Sequence, residues 1–212
     1  HTPGHGLGFS VVLTNGGLEV LDGSGQGTIV DPATLATVGT ASRPPVRSCY
    51  AASPHPVTDS TTGERVDLFL CKGDEAGYVA RATDSSGTSR RLSSIPCAHP
   101  AWMHSFSMTP HWMVLVEGPF TVRATSFRSK RRPELRDYTW DASRRTRILL
   151  VNRATGELVR VMNTRPLFVL HHINAWEDRD SVFVDLAAFG DPAILGSLSF
   201  GQDGLPQGPF PA

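Results

Sequence analysis

Apolar residues in this chain come in short runs, four to nine residues long, and not in helical stripes. "FSVVLT", "RVDLFLC", "WMVLVEG", "TRILLVN", "GELVRVM", "PLFVLHHI" and "SVFVDLAAF" are rich in β-branched and aromatic side chains. Clusters of glycine, proline, aspartate and serine separate them. Period-two runs bounded by such clusters predict β-strands joined by turns. No segment carries the i, i+3, i+4 repeat of a long amphipathic helix.

Four connectors resemble one another: "DPATLATVG" at 31–39, "TDSTTGERV" at 58–66, "TDSSGTSR" at 83–90 and "NRATGELVR" at 152–160. Each sets an Asp or Asn a few residues before Thr or Gly. The Asx side chain closes a local turn and glycine supplies positive φ, so each connector can join two antiparallel strands. Recurring hairpins of this kind predict an all-β fold, with a β-propeller as the leading arrangement.

The chain has 212 residues, 40% of them hydrophobic, and no formal net charge. That suffices for one core, and 1–212 is read as a single partial domain. Neutral balance gives no general attraction to nucleic acid, and no apolar run is long enough to cross a membrane as a helix. No secretory leader is present, so the chain is not expected to be secreted. The arginine-rich stretch 126–147 is read as a charged loop running into a strand. Its interleaved Glu134, Asp137 and Asp141 weaken a nucleic-acid reading. Residues 196–212 are read as a loop or truncated end. The three cysteines, Cys49, Cys71 and Cys97, are odd in number and lack paired spacing. They are expected as buried or half-buried thiols in a reducing compartment.

Eight histidines remain. None belongs to an HExxH or paired Cys/His spacing, so a metal site has to be assembled from distant segments. His55, His104 and His171 each lie at the entry or exit of a predicted strand, 49 and 67 residues apart. In a propeller, equivalent positions on different blades meet at the axis. Neutral imidazoles without a carboxylate suit Fe(II), Zn(II) or Cu(II).

Three motifs then carry a resemblance. "PHPVTDSTTGE" holds His55, Pro56, Asp59, Gly63 and Glu64. "MHSFSMT" holds Met103, His104, Phe106 and Thr109. "LHHINAWED" holds His171, Asn174, Ala175, Trp176 and Glu177. With "YTWDASRRTRILLVNRATGE" between the last two, and "DPATLATVG" and "VDLAAFGDPAIL" flanking the set, the chain resembles the carotenoid cleavage oxygenases from about residue 8 to about 195. The resemblance implies a seven-bladed β-propeller, of which about three to four blades are present here. It implies Fe(II) on the axis held by four histidines, three of them His55, His104 and His171, with His172 a neighbour and not a ligand. No histidine follows His172, so the fourth ligand is not in this sequence. It implies oxidative cleavage of a conjugated double bond in a carotenoid or apocarotenoid by O2, giving two carbonyl products. The substrate is then an apolar polyene reached by peripheral membrane contact. The location is cytoplasmic or plastid.

The chain departs from the family at "LTNGG", where Asn15 stands in place of a glutamate that orients a ligand imidazole. Glu19 or Asp22 is the nearest replacement, and Glu177 is a second candidate. Trp102, Phe106 and Trp176 are candidates to line a substrate tunnel, with ordinary core packing as the competing role. Two alternatives stand beside the carotenoid reading: a non-catalytic propeller-derived binding or scaffold module, and an oxygenase acting on stilbene-like phenylpropanoids. A partial propeller leaves sheet edges unpaired, so this stretch by itself is expected to aggregate.

Overall fold

The computed structural model describes residues 10–14, 17–21, 27–41, 48–73, 76–123 and 133–198. Among these residues the chain is almost entirely β. A first sheet runs in sequence order through β1 (Ser10–Thr14), β2 (Gly17–Leu21), β3 (Gly27–Val30) and β4 (Thr37–Ala41). A second contains β5 (Cys49–Ala52), β6 (Val57–Thr58), β7 (Arg65–Cys71), β8 (Gly77–Thr83) and β9 (Ser89–Pro96). Its order is β5-β7-β8-β9, with β6 also pairing β7.

The third sheet begins with β10 (Ser107–Met108) and β11 (Trp112–Glu117). A small ribbon of β12 (Phe120–Thr121) and β13 (Thr139–Trp140) interrupts it, and β14 (Thr146–Asn152) and β15 (Leu158–Thr164) complete it in the order β10-β11-β14-β15. A long hairpin of β16 (Phe168–Asp178) and β17 (Ser181–Phe189) follows. One short helix, α1 (Ile194–Ser197), packs Ile194 and Leu195 inward.

The four look-alike connectors are hairpin turns, as their sequences predict. They join β3 to β4, β6 to β7, β8 to β9 and β14 to β15. In each, the Asx oxygen accepts backbone N–H groups just downstream: Asp31 Oδ1 from Ala33 and Thr34, Asp59 Oδ1 from Thr61 and Thr62, Asp84 Oδ1 from Ser86 and Thr88, Asn152 Oδ1 from Ala154 and Thr155. Positive φ falls on Gly63, Gly87 and Gly156 in three of the turns and on Leu35 in the first. Gly156 is required on a second ground. A Cβ there would collide with the Leu92 carbonyl of β9, and its own carbonyl accepts from Ser93 Oγ at 2.7 Å. The β14–β15 turn is thus docked on the neighbouring sheet.

The main core lies between the second and third sheets. Val66, Leu68, Leu70, Tyr78 and Ile95 meet Phe106, Met113, Leu115, Leu149 and Val151 there. Each large side chain buried this way contributes about 1.5–3 kcal/mol. On the other face of the second sheet, polar chemistry joins it to the first. Arg65 reaches Glu19 Oε2 at 2.6 Å and Asp67 Oδ1 at 3.0 Å. Arg81 takes Asp67 Oδ2 at 3.5 Å and lies over the Phe69 ring at 4.8 Å. Glu19, Asp67 and Arg81 are all buried.

Two expectations need correction. Cys49 and Cys71 are not separate thiols: antiparallel pairing of β5 with β7 sets them opposite each other, and they form a disulfide. Only Cys97 is free, so the argument from free thiols to a reducing compartment lapses. The charged stretch is also not all loop. Its described part contains a 3-10 turn at Leu135–Asp137 and the strand β13 before β14 starts. Residues 126–132 and 199–212 lie outside the described residues. No helix among the described residues is long and apolar enough to cross a membrane.

Candidate metal centre

The first strands of the three later sheets bring the histidines together. His55 follows β5, His104 leads into β10, and His171 sits within β16. One ring nitrogen from each lies within 4.8 Å of the other two. His55 Nε2 and His104 Nε2 are 3.0 Å apart. The ring centroids are separated by 4.6, 4.9 and 5.0 Å, with the planes steeply inclined to one another. These T-shaped contacts bring three imidazole nitrogens toward one point. Two nitrogens bound at right angles about an ion at about 2.1 Å stand about 3 Å apart, so the His55–His104 pair fits a common metal.

Serines tie the three segments to one another. Ser53 Oγ donates to the His104 carbonyl at 2.5 Å and accepts from the His55 N–H at 3.2 Å. Ser105 Oγ accepts from the His172 N–H at 2.8 Å and donates to the Leu170 carbonyl at 3.4 Å. All the groups involved are buried or half-buried. The sequence reading passed over these serines. Their signal was position alone, two residues before His55 and immediately after His104.

Burial disfavours protonation of the rings. The His104 imidazole is pushed down to about 3, by burial first and then by His55 and His171. That of His55 is lowered to about 4 by burial and the nearby His171, and that of His171 is lowered by burial. All three are therefore neutral at pH 7, the state a metal requires. The unfolded chain titrates near the ordinary value of 6.5, so it takes up protons before the folded chain does as pH falls. The metal-free protein is accordingly expected to lose stability between about pH 6.5 and about pH 3. Denaturant midpoints at about pH 7.5 and about pH 5 check this; equal midpoints would contradict it.

The other sequence candidates divide. His172 is turned from the cluster onto Ser107, with Nδ1 2.9 Å from Ser107 Oγ. Trp102 stacks on the His104 ring. Phe106 is buried in the main core. Trp176 is 41% exposed and stacks on Phe183 across the β16–β17 hairpin. Glu177 is engaged by His111, whose backbone N–H donates to Oε1 at 2.9 Å and whose Nδ1 lies 2.8 Å from Oε2. Glu19 is taken by Arg65. Asn15 and Asp22 lie outside the described residues.

A profile of the family described as retinal pigment epithelial membrane protein matches residues 7–206. The chain belongs to this carotenoid oxygenase family. A carotenoid isomerooxygenase of Galleria mellonella is 34% identical over 103 residues, 47% of this chain and 20% of that protein. The chloroplastic carotenoid cleavage dioxygenase 8 homolog B of Oryza sativa subsp. japonica is 28% identical over 92% of this chain and 37% of its own length. The crystal structure of Pseudomonas brassicacearum lignostilbene dioxygenase superposes with a TM-score of 0.66 at 24% identity, covering 84% of this chain and 37% of that one. This last likeness is one of fold. The sheets described above are part of a β-propeller, as in the family's solved members. The chain spans 20–37% of the length of these relatives.

Proposed function

We propose that His55, His104 and His171 are three ligands of a non-haem Fe(II) centre in an oxygenase that cleaves a conjugated double bond of a carotenoid or apocarotenoid with O2, giving two carbonyl products. The convergence of three neutral imidazoles from three sheets carries this reading. An all-nitrogen ligand set leaves a divalent ion its full positive charge, and borderline imidazole donors suit iron. Bound iron would supply the activation of dioxygen. The chain's own part is to present three unprotonated nitrogens and to fix their directions. It also screens the site from water with the apolar cluster of Trp102, Phe120, Phe168, Ile194 and Leu195.

A second reading concerns substrate and not chemistry. An isoeugenol monooxygenase of Pseudomonas putida, 27% identical over 84% of this chain, favours a phenylpropanoid. Chloroplastic and bacterial relatives keep plastid and cytoplasmic locations both within the proposal. An apolar polyene implies peripheral contact with a membrane.

Incubating the iron-loaded full-length protein with an apocarotenal or a hydroxystilbene under labelled dioxygen separates the two substrates. The expected result is two carbonyl fragments from the apocarotenal, with label incorporated. Cleavage of the stilbene alone selects the second reading. No turnover of either, with iron bound, contradicts both and leaves a non-catalytic scaffold.

A further inference from the structure

We propose that Trp102 is the positioning residue of His104, holding its imidazole by face-to-face stacking at the angle that aims Nε2 at the shared centre. The inference rests on the metal-centre reading above.

A ligating histidine is ordinarily oriented through its second ring nitrogen, by a carboxylate, a backbone carbonyl or water. Among the described residues, the polar contact of the His104 ring is the one with His55. Glu177 and Glu19 are both committed elsewhere, and Asn15 lies outside the described residues. The terminal torsion of a histidine is broad, so an imidazole without such a bond can swivel about Cβ–Cγ. What lies against its face is the Trp102 indole, 5.0 Å centroid to centroid and 7° from parallel. Rotation of the imidazole would drive its edge into the indole plane.

The indole is itself immobilised. Phe168 stacks near it, with centroids 5.4 Å apart and planes inclined by 16°, making a layered His104–Trp102–Phe168 stack. The backbone beneath is pinned at successive points. Val122 N–H donates to the Pro100 carbonyl at 3.0 Å, Ala101 N–H to the Tyr78 hydroxyl at 2.6 Å, and Trp102 N–H to the Phe120 carbonyl at 2.9 Å.

The test uses Co(II) alone as probe, titrated into the metal-free full-length protein and followed by its visible ligand-field band. Trp102→Met keeps apolar bulk but offers no planar face. It should weaken Co(II) binding about tenfold or more and alter the band, while Trp102→Phe retains binding within about twofold of wild type. Val79→Ala opens a different buried cluster, that of Ala52, Phe69 and Cys71, which contains no member of the stack. It should lower the unfolding midpoint and leave Co(II) affinity unchanged. Wild-type affinity and band in Trp102→Met overturn the proposal, as does equal weakening by Val79→Ala. His104→Ala separates the two levels. If it binds Co(II) as wild type does, the metal-centre reading falls and takes the positioning role with it. If it loses Co(II) while Trp102→Met does not, only the positioning role falls. A further measurement requires no loss of packing. Co(II) bound beside an indole quenches it, so saturating Co(II) should dim wild-type emission more than that of Trp102→Phe. Equal dimming overturns the proposal.

Discussion

Replacing His104 with alanine is expected to abolish tight iron binding. Its ring is the most buried of the three and touches both of the others. Removing it takes one of the three clustered donors from the centre. Loss of a partner outside the ligand set typically costs about 10–100-fold in metal affinity, and loss of a ligand should exceed that. Anaerobic titration with Fe(II) measures it directly. If the proposed oxygenase reading holds, activity should fall in parallel, because the bound ion would supply the activation of dioxygen. The fold should survive, since the Ser53–His104 bond uses the backbone carbonyl and not the ring. Iron retained at wild-type affinity in His104→Ala would place the ligands elsewhere.

The second large effect concerns the joint between the first two sheets. Asp67→Ala is expected to destabilise the protein by about 3–5 kcal/mol, because it removes the carboxylate that sits between the Arg65 and Arg81 guanidiniums in a buried place. Coulomb attraction in that setting is poorly screened, and a buried cation whose partner is deleted cannot recover its hydration. Asp67→Asn preserves the shape and part of the hydrogen bonding, and should cost less. Urea unfolding of the two variants gives the difference. A loss below about 1 kcal/mol for Asp67→Ala would mean that water reaches the joint and screens it, as at a surface pair.

This same joint explains part of what the sequence hid. The strands β7, β14 and β17 were legible to the residue, because "RVDLFLC", "TRILLVN" and "SVFVDLAAF" are apolar and bounded by turns. The central strand β8, "GYVARAT", was missed, because Arg81 interrupts its apolar pattern. Tertiary partners on the adjacent strand, the Asp67 carboxylate and the Phe69 ring among them, let that arginine sit inside. Its neighbour β9, "SRRLSSIP", reads as a polar loop because its side chains largely face solvent and its pairing is carried by the backbone. Local propensity does not report such a strand.

The turns were readable for a local reason. Asp31, Asp59, Asp84 and Asn152 act on backbone groups only two to four residues away, so their chemistry is contained in the quoted stretches. The Cys49–Cys71 disulfide was not readable, since a separation of 22 residues becomes proximity only through the β5–β7 register. The three histidines stand between these cases. Their spacing suggested convergence, the motifs around them singled out His171 over His172, and the bulges in β16 next to both residues illustrate why strand alternation alone could not decide that pair. Glu177 shows the limit of motif reading. Its place in "NAWED" suggested an orienting role, but on the hairpin it meets His111.

X-ray absorption at the iron edge of the anaerobically purified full-length protein tests the central claim most directly. The predicted result is one iron per chain in a first shell of nitrogen and oxygen, with the outer-shell scattering of at least three imidazoles that falls when His104 is replaced by alanine. Iron bound without imidazole scattering, or no iron bound at all, would contradict it.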